Sequence, residues 1–125
     1  MSIRMRHVRH AGDLERERLV LIVEADDDIG HYVIFDTTYN ADGSVSNRMR
    51  HPYWFPDYAV AATDLIVLYT KSGNDRSRVN EDGTRTHFFY RNLDRSIWNR
   101  TGDCAVLLDI RGWDVLRIPP NESDD

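Results

Sequence analysis

The apolar and polar residues of this chain alternate with the two-residue period of β-strands. Outside residues 12–18, no pattern with a helical period lasts longer than two turns, and short apolar runs recur between turn signals along the sequence. We therefore expect an all-β fold of seven or eight short strands. The candidate strands are residues 3–8, 19–24, 32–38, 50–55, 65–70, 87–90, 105–109 and 113–118.

Two Asp-Gly pairs mark turns between these strands. Asp42 with Gly43, and Asp82 with Gly83, supply residues that tolerate positive φ, which tight hairpin turns require. The second pair lies in a long connection, residues 71–86, whose residues are almost all polar or charged. A connection of this length and polarity predicts an exposed excursion or a hairpin tip, and such loops often carry function.

A third turn is predicted near the C-terminus. Asp109 and Gly112 stand first and fourth in a four-residue stretch, the positions at which type I turns prefer Asp and Gly. The strands on either side of it, residues 105–109 and 113–118, should therefore pair antiparallel.

The residues around this turn resemble a known family. The stretch SIWNRTGDCAVLLDIRGWDV, residues 96–115, is similar to the C-terminal half of the lamin tail domain, found in the intermediate-filament lamins and in many microbial proteins. In that family a Trp-Asn element precedes a Gly-Asp pair, an alternating Leu-x-Asp strand and a Gly-containing hairpin. The matching residues that should organise the fold are Trp98, Asn99, Gly102, Asp103, Asp109 and Gly112.

The resemblance spans residues 19–118 and is weaker in its first half. There, Tyr53-x-Phe55-Pro56 and Asp28-Ile29 are similar to short family motifs. The resemblance implies an immunoglobulin-like antiparallel β-sandwich of the microbial type. It also implies protein or DNA partners, because lamin tails are associated with both.

The chemistry of the Trp-Asn motif favours a structural role over a catalytic one. Trp98 can bury a large apolar area between two sheets, and its indole N–H needs only one acceptor. Asn99 and Asp103 can accept backbone N–H groups in Asx-type turns, while Gly102 admits a conformation that a Cβ would penalise. We expect the motif to organise a corner of the fold.

The chain should form one domain with a short addition at each end. Its 125 residues suit a single core. Residues 1–18 lie outside the resemblance and form a basic extension or an added edge strand, since apolar and basic residues alternate there. Residues 119–125 should form a disordered acidic tail, because prolines cannot continue a strand ladder and the charges cannot bury area.

Composition bounds the class of protein. The chain is 41% hydrophobic and 30% charged, and no apolar run approaches the about 20 residues that cross a bilayer. The basic N-terminus has no apolar stretch behind it, which predicts a cytoplasmic protein rather than a secreted one. Cys104 is the only cysteine, so no internal disulfide can form. The formal charge of −5 argues against binding nucleic acid over the whole surface, but it leaves room for a local basic patch.

An acidic triplet offers one candidate for catalysis. Asp26, Asp27 and Asp28 present clustered carboxylate oxygens, which calcium and magnesium prefer. A small metal-dependent hydrolase that uses them with one or more histidines is therefore one alternative. A solvated turn explains the same residues, because the spaced ligands and the glycine of an EF-hand loop are missing. Our main expectation is a protein without catalytic residues, metal or cofactor.

Basic residues offer candidates for binding. Arginines near the N-terminus could contact phosphates, and the aromatic segment 87–91 could stack bases, which makes a nucleic-acid-binding module a second alternative. The same arginines would also protect an edge strand from pairing with another sheet. Our main interpretation is a non-catalytic binding module of lamin-tail type whose partner is a protein, with homo-oligomers through edge strands as a further option. The candidate contact residues are Arg4, Arg6, Arg9, Lys71, Arg76 and Arg78.

Overall fold

Ten strands and one turn of 3₁₀ helix make up the regular structure of residues 1–121. The computed structural model describes residues 1–121, so residues 122–125 of the predicted acidic tail lie outside it. Within the described part, no helix is long and apolar enough to cross a membrane. The elements are β1 (Ile3–Arg9), β2 (Arg18–Val23), β3 (Asp27–Asp28), η1 (Ile29–His31), β4 (Tyr32–Thr38), β5 (Arg50–Trp54), β6 (Ala59–Val60), β7 (Leu65–Tyr69), β8 (Arg76–Val79), β9 (Arg85–Tyr90) and β10 (Asp103–Asp109).

The predicted all-β, sandwich-like fold is confirmed. The larger sheet has the strand order β1-β2-β7-β9-β8, the smaller sheet has the order β10-β4-β5, and β3 pairs with β6. Leu21 and Ile66 of the larger sheet and Tyr32 and Ile34 of the smaller one belong to a single buried cluster. The inner faces of the two sheets therefore share one hydrophobic core.

One neighbouring pair of strands, β7 and β9, runs parallel, so the sandwich is not purely antiparallel as expected. Residues 86–89 of β9 are all buried, whereas all four residues of β8 are exposed. A strand that is buried on both faces is suited to the interior of a sheet, and an exposed basic strand is suited to an edge. β9 therefore inserts between β7 and β8, and β8 closes the sheet.

The N-terminal segment is part of the larger sheet. β1 pairs antiparallel with β2, and the side chain of Ile3 is fully buried. The alternation of apolar and basic residues thus corresponds to an added edge strand and not to a detached extension.

Both Asp-Gly pairs form the predicted turns. Gly43 and Gly83 have φ values of 85° and 86°. The carboxylates of Asp42 and Asp82 each accept the backbone N–H two residues ahead, at 3.0 Å. The second turn joins β8 to β9, so residues 71–86 comprise an exposed loop followed by a hairpin.

The predicted strand at residues 113–118 is wrong, and so is the hairpin expected at Asp109 and Gly112. β10 ends at Asp109, and the described residues beyond it contain no strand. Val115 and Leu116 are 77% and 90% exposed. A strand pattern without a partner strand does not produce a ladder.

Two side-chain contacts hold this segment away from a hairpin. Arg111 donates hydrogen bonds of 3.0 and 2.7 Å to the two carboxylate oxygens of Asp27. Trp113 packs edge-on against Trp54, with ring centroids 5.2 Å apart. The chain after β10 therefore crosses to residues near β3 and β5.

The Trp-Asn motif forms a hydrogen-bonded loop before β10. The backbone N–H of Asn99 donates to the carboxylate of Asp103 at 2.8 Å, and Asn99 Oδ1 accepts from the backbone N–H of Thr101 at 2.9 Å. Gly102 has a φ of 91°. Trp98 is only 6% exposed, but it lies outside the main core cluster.

A buried carboxylate joins this loop to the larger sheet. Glu17, which sequence reasoning did not single out, is fully buried. Its two oxygens accept hydrogen bonds from the backbone N–H groups of Gly12, Ile97 and Trp98 and from the hydroxyl of Thr70, at 2.6 to 3.2 Å. Three segments far apart in sequence therefore meet at one side chain.

We expect Glu17→Gln to lower the free energy of unfolding by about 3 kcal/mol. The amide has one acceptor oxygen instead of two, and its NH₂ group would face backbone N–H donors. Urea unfolding monitored by tryptophan fluorescence measures the change. Glu15→Gln, an exposed change on the same turn, should alter stability by less than about 0.5 kcal/mol, and equal effects of the two variants would contradict the role of Glu17.

Arg111 controls the ionisation of Asp27. Its guanidinium holds the pKa of Asp27 well below the usual range, against the opposing effect of burial. Burial and the hydrogen bond to Asp27 raise the pKa of Tyr32 to about 12. Because the pKa of Asp27 is depressed on folding, its stabilising effect is complete above the unfolded pKa of about 3.9 and is lost as the pH falls below that value.

Arg111→Gln should lower stability at neutral pH only modestly, because the pair is partly exposed to solvent. The difference in the free energy of unfolding between wild type and variant should become smaller as the pH falls from about 5 to about 2. Urea midpoints across this pH range measure it, with Arg117→Gln in the same segment as the control. A difference that stays constant with pH would rule out Asp27 as the partner.

Candidate binding surface on the larger sheet

The outer face of the larger sheet, which points away from the core, carries an apolar stripe. Strand register aligns Val20, Val67 and Phe88 across β2, β7 and β9, and the three side chains pack together. Tyr69 and Tyr90 extend the stripe as a stacked pair, with ring centroids 5.4 Å apart and an interplanar angle of 10°. This sheet therefore has apolar side chains on both faces.

Basic side chains cover and border this stripe. The guanidinium groups of Arg76 and Arg78 lie 4.3 and 5.3 Å from the centre of the Phe88 ring. The Lys71 ammonium lies 4.9 Å from the Tyr69 ring. Aliphatic stems thus shield the stripe while the charged ends stay in water. We call this surface the basic face; its cations are Arg4, Arg6, Arg9, Arg18, Lys71, Arg76 and Arg78.

The fold places all six candidate contact residues on the larger sheet or directly beside it. Arg4, Arg6 and Arg9 belong to β1 at one edge, Arg76 and Arg78 belong to β8 at the other edge, and Lys71 follows β7. Arg6 and Arg78 line the same open groove, of about 670 Å³, which crosses the sheet between them. Arg4 is paired with the carboxylate of Glu24.

Sequence reasoning missed Arg18 and the stripe itself. Arg18 begins β2, and its guanidinium lies 5.8 Å from the centre of the Tyr69 ring. Its position directly before the run LVLIV was the available signal, because every second residue of that run had to face outward.

His7 reports the positive potential of the basic face. Its pKa is lowered by desolvation first and then by the charges of Arg9, Arg6 and Arg18. A neighbouring cation disfavours the protonated imidazole, so the shift has the sign expected for a surface that attracts anions.

The aromatic rings of the basic face are not free for stacking. Phe88 is only 7% exposed beneath the two arginines of β8. Gly73 packs against Tyr90 so closely that a Cβ at Gly73 would overlap the ring. A flat base could therefore stack on these rings only after the side chains had rearranged.

The acidic triplet does not converge on a metal site. Asp26 accepts the N–H of Ala62 at 2.8 Å, Asp27 binds Arg111 at 2.7 Å, and Asp28 accepts the N–H of Gly30 at 2.7 Å. Among residues 1–121, no group of three or more His, Cys, Asp and Glu side chains could hold a metal ion. The geometry gives the metal-dependent hydrolase no support.

No protein-family model matches the chain, and no curated protein matches it.

Arg9→Gln should raise the pKa of His7 towards its ordinary value, because one neighbouring positive charge is removed. Titration of the His7 ring protons by NMR measures the pKa. Arg117→Gln, a change of the same charge in the C-terminal segment, should leave the pKa of His7 unchanged. An unchanged pKa in Arg9→Gln would show that the basic face does not act on His7.

Proposed function

We propose that this protein is a non-catalytic binding module of lamin-tail type whose basic face docks an acidic segment of a partner protein. The observation that carries the proposal is the gathering of seven cations on one sheet face of a chain whose formal charge is −5. A concentrated patch of one sign on a protein of the opposite net charge is suited to orienting a complementary partner.

The covered rings favour an acidic protein over single-stranded nucleic acid. Proteins that bind single strands present rings on which bases stack. Here Arg76, Arg78 and Lys71 already lie over Phe88 and Tyr69. Carboxylates can pair with these side chains at the surface without displacing them.

The resemblance to the lamin tail domain supports a binding role in a different way. The matching Trp-Asn and Gly-Asp residues are engaged in hydrogen bonds within their own loop and with Glu17. They hold chain segments together and leave no convergent set of reactive groups. This arrangement agrees with a module that recognises a partner and does not transform a substrate.

Binding of a fluorescent oligoglutamate peptide tests the proposal. We expect saturable binding that weakens as the salt concentration rises from about 50 to about 200 mM. The double variant Arg76→Gln with Arg78→Gln should weaken binding about tenfold, because two surface charge contacts are lost. Fluorescence anisotropy measures the affinity.

A matched double variant, Arg95→Gln with Arg100→Gln, removes the same charge away from the basic face and should bind like wild type. Single- and double-stranded DNA oligonucleotides form the second arm of the experiment. DNA binding without oligoglutamate binding would favour the nucleic-acid alternative. Equal losses in the two double variants would show that net charge, and not the basic face, governs binding.

A further inference from the structure

His87 is a buried histidine with one unpaired ring nitrogen. It lies on β9, and its side chain is only 3% exposed. Nε2 lies 2.8 Å from a carboxylate oxygen of Asp64. Nδ1 is buried and forms no hydrogen bond with any described residue. Buried polar atoms are nearly always paired, so an unpaired one indicates a missing hydrogen-bond partner.

Asp64 determines which nitrogen of the neutral imidazole carries the hydrogen. Burial acts to raise the pKa of Asp64, but hydrogen bonds from His87 and from the N–H groups of Ala61 and Arg85 leave the pKa below its ordinary value. The ionised carboxylate only accepts, so the hydrogen lies on Nε2. Nδ1 of the neutral ring is then a lone-pair acceptor that lacks a donor.

His87 lines a cleft of about 310 Å³ beside β8. The ring of Tyr58 lies over His87, with centroids 5.1 Å apart, and Phe89 adds a second aromatic side chain to the lining. Asp57 and Asp75 also line the cleft and supply two carboxylates. Asp64, which holds Nε2, lines only the neighbouring cleft.

Arg76 is the arginine among the residues that line this cleft, but its charged group points away from the cleft. Its guanidinium lies over Phe88, on the outer face of the sheet. On β8, strand alternation turns Ser77 inward opposite His87 and leaves Arg76 outward. The cleft thus combines hydrogen-bond acceptors, negative charge and aromatic rings.

We propose that this cleft binds an organic cation, an ammonium or guanidinium group such as the end of a lysine or arginine side chain. The cation donates a hydrogen bond to His87 Nδ1, which completes the pairing of the imidazole. Asp57 and Asp75 balance the positive charge, and the ring of Tyr58 contacts the cation through its face. The inference does not depend on the basic face, because it rests on His87, Asp57 and Asp75 and on the opposite sign of charge, although Arg76 borders both surfaces.

Tyr58 lies beside His87 in the lining of the cleft. The residue is 41% exposed, so its ring has room to rotate. Its backbone stays in place, because its N–H donates to Asp28 at 2.9 Å and its carbonyl accepts from Ile29 at 3.0 Å. In the proposed binding mode, rotation of this one side chain gives the cation access to Nδ1 without a change in the fold.

NMR titration of the intact ¹⁵N-labelled chain tests the proposal. The probes are n-butylammonium chloride and methylguanidinium chloride, with n-butanol as the neutral match and sodium chloride as the control for ionic strength. We expect both cations to move the His87 Nδ1 resonance in a saturable way, and butanol and sodium chloride to leave it in place. N-acetyl-lysine amide is a further probe, which distinguishes a lysine side chain of a protein from a free amine as the natural ligand. Tighter binding than butylammonium indicates a protein side chain as the natural ligand, and weaker or equal binding indicates a free amine.

Variants of the exposed carboxylates distinguish binding in the cleft from binding elsewhere on the surface. Asp57→Asn and Asp75→Asn should each weaken butylammonium binding about twofold to fivefold, as expected for partly exposed charge pairs. Asp42→Asn, on the turn between β4 and β5, should have no effect. The proposal is overturned if neither cation shifts the His87 Nδ1 resonance. That result would indicate that a buried water donates the missing hydrogen bond to Nδ1. It is also overturned if butanol moves the resonance as far as butylammonium does.

Discussion

The carboxylate of Glu17 is the interaction on which the rest of the fold depends. Removing a carboxylate from water costs several kcal/mol unless hydrogen bonds replace its hydration. Four donors do so here, and they come from the turn after β1, the residue after β7 and the backbone of Ile97 and Trp98. Arg91 lies close to this carboxylate. Burial lowers the pKa of Arg91, while the charges of Asp36 and Glu17 raise it. A polar centre therefore ties the end of the larger sheet to the loop that leads into the smaller one.

The edge formed by β8 and β9 presents opposite chemistry on its two faces. Arg76 and Arg78 point outward over Phe88, whereas Ser77 points inward opposite His87. The period of two along a strand is sufficient to produce this separation, because adjacent residues must face opposite sides. A partner that engaged both faces would need an acidic segment for the first and a lysine or arginine for the second. Such a pattern of opposite charges would give specificity more than raw affinity.

Much of the fold follows from local signals. The seven strands confirmed by the structure have apolar runs or apolar residues among polar ones, and the turns at Gly43 and Gly83 follow from the tolerance of glycine for positive φ. Strands β3, β6 and β8 were missed because two residues carry no periodicity and because β8 is wholly polar apart from Val79. The strand predicted at residues 113–118 does not form, although its pattern of residues is typical of a strand. Arg111 and Trp113 find partners elsewhere, and a ladder needs a neighbour.

The sequence by itself determined the all-β class, most strand positions and the six basic residues singled out for binding, since these depend on residues close together in the chain. Only the tertiary structure decided that β9 lies parallel to β7 and that Arg76 and Arg78 share a sheet with the N-terminal arginines. It also decided that Glu17 collects four donors, and that His87 is paired at one nitrogen and unpaired at the other. Apart from the contact between Glu17 and Gly12, these features join residues separated by 21 to 81 positions along the chain. Local periodicity carries no information on such pairings, because they arise only when the sheets assemble.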